Sequence, residues 1–167
     1  IRLHSDLHLE GFLGKQIKDL CNSYIPPEET DKDSVLVLAG DISSKRYQLL
    51  EFLQEITSRF SDVLYVPGNH EYYHSDYHDW NAWATANLTF VKTPVNEILS
   101  YEKDNVRFIM TTLWGDGGKT PANWVDVDRG LCDFRVIRRG DERFEVKHMI
   151  SVHQNHRANL EDLLAIP

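Results

Sequence analysis

One strand and the loop that follows it constrain the fold more than any other part of the sequence. Residues Val63–Val66 have the apolar composition of a buried β-strand, and a Pro-Gly pair ends that strand abruptly. Asn69, His70 and Glu71 therefore follow the carboxyl end of a strand directly. Because open α/β sheets bind their ligands at the carboxyl ends of the strands, we expect a functional site at this loop.

Two further apolar segments end in the same way. The first strand pattern of the sequence runs into Asp6 and His8, and the second runs through a glycine into Asp41. A helical pattern lies between the second and third strands, which predicts a βαβ unit with parallel strands. Parallel strands have their carboxyl ends at one edge of the sheet, so Asp41 and Asn69 are expected to lie at the same end of it.

The residue types in these loops are those that bind divalent cations. On an extended segment, Asp6 and His8 would point the same way and could hold one ion. Taken alone, such a pair is more often a turn cap and a surface histidine, and a lone Gly-Asp usually marks a turn. Three such loops after three strands jointly predict a metal site.

The rest of the sequence has clear strand and helix patterns. Strands are predicted at 1–5, 35–39, 63–66, 96–101 and 106–111, the last two as a hairpin. Helices are predicted at 13–20, from a cap at Ser43 or Ser44 through Phe60, at 76–88 and at 146–165. The glycine-rich segment between Thr112 and Gly140 is longer than most structural connections, so we expect it to be a loop that lines a substrate cleft.

Length and charge limit the classes of function. The 167 residues suit a single domain, spanning residues 1–167. A formal charge of −8 argues against passive binding of long nucleic acid, although bound cations would reverse the potential locally. No apolar run is long enough to cross a bilayer, and the two cysteines lack metal-ligand spacing. We therefore expect a soluble, cytoplasmic protein without a membrane partner, and the sequence does not indicate an oligomeric state.

In this order, each after an apolar strand, the D-x-H, G-D and G-N-H-E motifs resemble those of the calcineurin-like metallophosphoesterase superfamily. Thr112-Leu113-Trp114 and Cys132-Asp133-Phe134-Arg135 resemble, more weakly, its small bacterial and phage members. The resemblance implies an α/β fold, a four-layer α/β/β/α sandwich with a two-metal site at the strand ends. It also implies a role for each residue: the first metal is bound by Asp6 and His8, both metals by Asp41, the second metal by Asn69, and the phosphate by His70.

The implied activity is metal-dependent hydrolysis of a phosphoester by a phosphatase or a phosphodiesterase. Two cations about 3.5–4 Å apart can bind the phosphate and activate a hydroxide between them. The mixed ligand set suits Mn, Fe, Zn or Mg, and the substrate could be a small molecule, a phosphoprotein or a nucleic-acid end. His70 can stabilise the phosphoryl group or protonate the leaving oxygen. Glu71 is expected to hold a loop or a ligand in place.

A different class of function is open at this point, namely a catalytically inactive scaffold or interaction module on the same fold. Loss of His8, Asn69 or His70 would have favoured this alternative. All three residues are present, and their presence favours the enzyme.

The family pattern also has three later histidines that this sequence lacks at suitable positions. The predicted C-terminal helix holds His148, His153 and His156, while His74 and His78 follow the third strand too closely. We therefore expect a C-terminally incomplete domain in which the second metal has only two protein ligands. The expected consequences are weak or absent metal binding, an exposed apolar sheet edge and little activity.

Overall fold

The computed structural model describes residues 1–12, 14–95, 98–118 and 120–165. The strands are β1 (Arg2–His4), β2 (Val35–Ala39), β3 (Asp62–Val66), β4 (Leu99–Lys103), β5 (Val106–Met110), β6 (Arg138–Arg139) and β7 (Glu142–Arg143). The helices are α1 (Ile17–Tyr24), α2 (Arg46–Thr57), α3 (Tyr77–Asn87), α4 (Pro121–Gly130), α5 (Asp133–Val136) and α6 (Val146–Leu164). Among the described residues, no helix combines the length and the apolar character that crossing a bilayer requires.

The central sheet has three parallel strands in the order β1-β2-β3. Arg2 pairs with Leu36, and Leu38 pairs with Tyr65. Helix α2 connects β2 to β3, as expected for parallel neighbours, which cannot be joined by a tight turn. The predicted βαβ unit is therefore confirmed, and all three strands end at the same edge of the sheet.

Four layers pack on one another, which confirms the predicted α/β/β/α sandwich. One face of the sheet packs on α1 and α2, and the buried α2 side chains there are Leu49, Phe52, Leu53 and Ile56. The other face packs on the β4-β5 hairpin, where Val35 and Leu64 join Met110 in a second buried cluster. Helix α6 contacts this hairpin, since the Arg107 guanidinium donates to the main-chain oxygen of Leu163. Each fully buried Leu or Phe contributes on the order of 1.5–3 kcal/mol.

Strand β1 exposes apolar surface at the side of the sheet. In the described part of the chain, β1 pairs with β2 and lies at the outer position of the sheet. The side chain of Leu3 is 67% exposed, although it pairs in register with Val37 at the centre. Strand β1 thus exposes an apolar side chain at the outer position of the sheet, while an exposed edge caused by missing C-terminal strands stays a prediction.

Three sequence predictions of helix and loop bounds are wrong. Helix α1 begins at Ile17, later than predicted, and Leu13 lies outside the described residues. Helix α2 begins at Arg46 and has neither predicted serine as its cap, because the buried Ser43 hydroxyl bonds to the Gln48 side chain. The segment 112–140 is not one long loop, because it contains α4, α5 and the start of the β6-β7 hairpin.

The hairpin prediction is confirmed with a small shift. Strand β4 continues to Lys103, two residues beyond its predicted end, and the Lys103 ammonium forms an ion pair with Asp62 at the start of β3. The predicted first strand residue, Asn96, lies outside the described residues.

Asp31 joins the start of the central sheet to the end of α2. Its carboxylate accepts hydrogen bonds from Arg2 at 2.6 Å and from Arg59 at 2.9 Å. Both guanidinium groups also lie against the ring of Phe60, at 5.7 and 5.6 Å from its centroid. Burial alone would raise the pKa of Asp31, but the hydrogen bonds from Arg59 and Arg2 outweigh it and hold the pKa below its ordinary value.

We expect Asp31→Ala to lower the free energy of unfolding by about 3–5 kcal/mol, because two largely buried guanidinium groups lose their shared partner. Urea unfolding at pH 7 measures this loss. Glu28→Ala is the matched control, because Glu28 is an exposed partner of the same Arg2 and should cost less than about 1 kcal/mol. Equal losses in the two variants would contradict the prediction.

The Asp31 contribution should also depend on pH. Because the folded-state pKa is lowered, this contribution is complete above the unfolded pKa of about 3.9 and is lost as the pH falls through the folded value. The stability difference between the wild type and Asp31→Asn should therefore shrink below about pH 4. A difference that stays constant down to pH 2 would contradict this assignment.

Candidate active site

Main-chain hydrogen bonds join the loop after β1 to the loop after β2. The Asp6 N–H donates to the Gly40 oxygen at 3.0 Å, and the His8 N–H donates to the Asp41 oxygen at 3.0 Å. These bonds continue the pairing of the two strands beyond their ends. Main-chain hydrogen bonds, rather than side-chain contacts, therefore place Asp6 and His8 beside Asp41.

The backbone of this site is unusual at the candidate ligands. Asp6, His8 and Asp41 have φ angles of 56°, 46° and 56°, in the left-handed region that non-glycine residues seldom adopt. The expectation of an extended segment at Asp6 and His8 is therefore wrong, although the two side chains do come together. Residues in this conformation cost on the order of 1–3 kcal/mol each and are concentrated at functional sites.

Two glycines allow the loops after β2 and β3 to touch. A Cβ atom at Gly40, which has a φ of +87°, would lie 3.0 Å from the Gly68 Cα atom. A Cβ atom at Gly68 would lie 2.1 Å from the Oδ1 atom of Asp41. Side chains at these positions would separate the loops, so both glycines are needed for their close approach.

The candidate ligands of the first metal form a compact group. Asp6, His8 and Asp41 each offer one donor atom, and these atoms all lie within 4.8 Å of one another. The Oδ1 atom of Asp41 also accepts a hydrogen bond from the His70 N–H at 3.0 Å. The structure thus brings together residues from three loops that the sequence predicted separately.

The His70 ring lies at the centre of the polar residues of this site. It stacks on the Tyr73 ring, with centroids 4.2 Å apart and an interplanar angle of 25°. It also meets the edge of the His8 ring at 4.4 Å. Since the His70 side chain is 29% exposed, a substrate can reach it from solvent.

Glu10 is a site residue to which the sequence reasoning gave no role. Its Oε1 atom lies 3.5 Å from the Nδ1 atoms of both His8 and His70, and the three residues form a second group able to hold a cation. Partial burial acts to raise the pKa of Glu10, but backbone N–H groups, including that of Ser44, help to hold it below its ordinary value. The D-x-H-x-E spacing in the sequence could have indicated that Glu10 belongs to the site.

Glu71 supports the site from the protein interior, as expected. One carboxylate oxygen accepts from the Ile42 N–H at 2.6 Å, and the other accepts from Gly68 at 2.7 Å and from Asp41 at 3.1 Å. The carboxylate therefore ties the loop after β2 to the loop after β3. Burial raises the pKa of Glu71 to about 7, and the Asp41 charge adds to this rise, while the backbone donors lower it.

Asn69 lies at the end of β3 beside a cavity of about 590 Å³. The residues Thr112–Gly118 line this cavity, and so does Asp133, whose Oδ1 atom accepts a hydrogen bond from the Asn69 Nδ2 atom at 2.8 Å. The beginning of the glycine-rich segment thus lines a cleft next to the candidate site, as predicted.

The remaining histidines lie elsewhere in the part of the chain that the structure describes. The Nδ1 atoms of His153 and His156 bond to the main-chain oxygens of Trp114 and Thr112, at 2.5 and 2.9 Å. Within the described residues, the two groups able to hold a cation do not include these histidines, nor the other four at positions 4, 74, 78 and 148. The expectation that none of these histidines binds the metals stays a prediction.

A family model of calcineurin-like phosphoesterases matches residues 3–161. The chain belongs to the calcineurin-like phosphoesterase family. The chain is 28% identical, over 171 aligned residues, to an uncharacterised protein of Acanthamoeba polyphaga mimivirus, and the match covers 98% of the chain and 60% of the viral protein. The resemblance inferred from the three loop motifs is confirmed.

The fold of this chain is also similar to that of a solved structure. The phosphopantetheinyl hydrolase PptH of Mycobacterium tuberculosis superposes with a TM-score of 0.69 at 18% identity, over 99% of the present chain and 63% of the hydrolase. At this identity the similarity supports the fold alone. The chain thus spans somewhat less than two thirds of the length of both relatives.

Proposed function

We propose that this protein hydrolyses a phosphoester, with divalent cations held by the loops at the edge of the central sheet. The proposal rests on one observation above all: the donor atoms of Asp6, His8 and Asp41 lie within 4.8 Å of one another. Family membership supports the reaction class.

The residues fit divalent cations. The first ion would be held by Asp6, His8 and Asp41, whose mixed imidazole and carboxylate donors suit Mn, Fe, Zn or Mg. The second ion would be held by Asp41 and Asn69. When bound, such cations polarise a phosphoryl oxygen and lower the pKa of a water nucleophile.

The remaining chemistry belongs to His70. Its main-chain N–H holds the Asp41 carboxylate, and its ring is kept in place by the Tyr73 ring below it and the His8 ring at its edge. An imidazole in this position can donate a hydrogen bond to the phosphoryl group or give a proton to the leaving oxygen. The Oε1 atom of Glu10 lies 3.5 Å from the Nδ1 atom of this ring.

We expect His70→Asn to lower turnover by about 10²–10⁴-fold, the range typical of acid–base groups, with metal content little changed. The measurements are kcat with a saturating phosphoester and metal content by elemental analysis. His78→Ala, at an exposed histidine on α3, is the matched control and should leave both unchanged. Loss of both metals in the His70 variant would make His70 a ligand instead.

The experiment that tests the proposal compares hydrolysis of a phosphomonoester, a phosphodiester and single-stranded DNA. Because two protein ligands hold an ion weakly, we expect activity to require excess free Mn²⁺ and to disappear with a chelator. Mn²⁺ binding without hydrolysis of any of these substrates would favour the inactive scaffold.

A further inference from the structure

Asn69, Tyr73 and Asp133 form a triangle of hydrogen bonds next to the candidate metal ligands. The Oδ1 atom of Asp133 accepts from the Asn69 Nδ2 atom at 2.8 Å and from the Tyr73 hydroxyl at 2.8 Å. The third side joins the Asn69 Nδ2 atom to the Tyr73 oxygen at 3.2 Å. Asp133 is only 4% exposed, so water competes little for these bonds.

The triangle determines which way the Asn69 amide faces. A carboxylate can only accept hydrogen bonds, so the nitrogen of the amide must face Asp133. The Tyr73 hydroxyl gives its single proton to Asp133, and its oxygen can still accept from the Asn69 Nδ2 atom, 3.2 Å away. The amide nitrogen of Asn69 therefore faces the triangle, which leaves the Asn69 Oδ1 atom outside it.

We propose that Asp133 is a positioning residue that holds Asn69 with its amide oxygen available to a divalent cation. The proposal rests on the proposed function, because it assumes that Asn69 is a ligand. If the amide were turned over, it would present N–H groups to the cation, and these cannot coordinate it. Asp133 thus acts on the metal through Asn69.

The fold places Asp133 firmly enough for this role. It is the first residue of α5, and the adjacent Phe134 is fully buried in the main core. Tyr73 extends the arrangement to a second site residue, because its ring stacks on His70. One buried carboxylate from a distant part of the sequence therefore supports both Asn69 and, through Tyr73, His70.

The test is a Mn²⁺ titration of the wild type and of Asp133→Ala, in which calorimetry measures the affinity. Loss of a supporting partner of a metal ligand typically costs 10–100-fold in metal affinity. We expect a loss of about this size for the more weakly bound Mn²⁺, with affinity for the tighter ion unchanged because Asp6 and His8 are untouched. Asp133→Asn keeps an oxygen that can accept both hydrogen bonds. This variant should therefore bind the more weakly bound Mn²⁺ with higher affinity than Asp133→Ala does.

Tyr73→Phe is a second variant that keeps the ring stacked on His70 and removes one acceptor of the Asn69 amide. It should show a smaller loss of the weaker ion, and it tests the proposal even if Asp133→Ala does not fold. The NMR signals of the Asn69 side-chain amide give a readout that needs no metal. In the wild type, the two amide protons should have well-separated chemical shifts and exchange slowly with solvent. Asp133→Ala and Tyr73→Phe should not show both properties.

Wild-type affinity for both ions in Asp133→Ala and Tyr73→Phe would overturn the positioning role and leave the proposed function standing. An unchanged Asn69 amide resonance in both variants would overturn it equally. If the wild type itself bound no Mn²⁺, the proposed function would be overturned, and the positioning role with it.

Discussion

Asp41→Asn is expected to abolish metal-dependent phosphoester hydrolysis while leaving the fold intact. An amide cannot serve two cations as a carboxylate does, and the site also loses one negative charge. Bound metal ions stabilise the transition state by several kcal/mol, so we expect kcat/KM to fall by about 10³-fold or more. The amide oxygen can still accept the His70 N–H, which is why the loop should keep its conformation.

The control for this variant is Asp33→Asn, which removes a carboxylate at an exposed position away from the site. Its kcat/KM with Mn²⁺ should equal that of the wild type. Circular dichroism and thermal melting should show both variants folded. Wild-type turnover in Asp41→Asn would show that Asp41 does not bridge the metals.

Glu71→Gln is expected to lower the free energy of unfolding by about 2–4 kcal/mol, although the two side chains have nearly the same shape. One oxygen of Glu71 serves Ile42 and the other serves Gly68 and Asp41, all as acceptors of backbone N–H groups. A glutamine has one acceptor oxygen, and its NH₂ group would face N–H donors on the other side. Each buried donor left without an acceptor costs about 1–3 kcal/mol.

Urea unfolding measures this loss, and Glu51→Gln at an exposed position of α2 is the matched control. The control should change the free energy of unfolding by less than about 0.5 kcal/mol. Because Glu71 joins the loops that hold Asp41 and Asn69, its glutamine variant should also bind Mn²⁺ more weakly. A variant as stable as the wild type would mean that the loops do not depend on this carboxylate.

The sequence was sufficient to predict the parallel sheet and three loops of the site. Short apolar runs followed by glycine and polar residues reflect strands that end at a functional edge, and this local pattern survives in the structure at Asp6, Asp41 and Asn69. The predictions of a single domain, of a cytoplasmic location and of the individual site residues stay predictions.

Two site residues were not predicted, for different physical reasons. Glu10 follows His8 in a short 3₁₀ turn, so the alternation expected of an extended segment does not apply to it. Asp133 reaches Asn69 across 64 positions of sequence, and only the packing of α5 brings them together. Local periodicity carries no information about such a contact.

The N-cap of α2 shows a third limit on predicting structure from the sequence. Ser43 and Ser44 are residue types that favour helix caps, but the first is buried and bonded to Gln48, and the N–H of the second is bonded to Glu10. Tertiary hydrogen bonds thus displaced a local preference, and the helix starts at Arg46 instead.

The hydrogen bonds between the loops after β1 and β2 have a consequence for how this family can change over evolutionary time. They run from main chain to main chain, from Asp6 to Gly40 and from His8 to Asp41, and such bonds impose no requirement on the side chains around them. Inheritance of the site then depends on a few positions, namely the donors themselves and glycines such as Gly68. Positions that neither tie the loops together, as Glu71 does, nor let them touch, as Gly40 does, can change while the geometry of the loops is passed on.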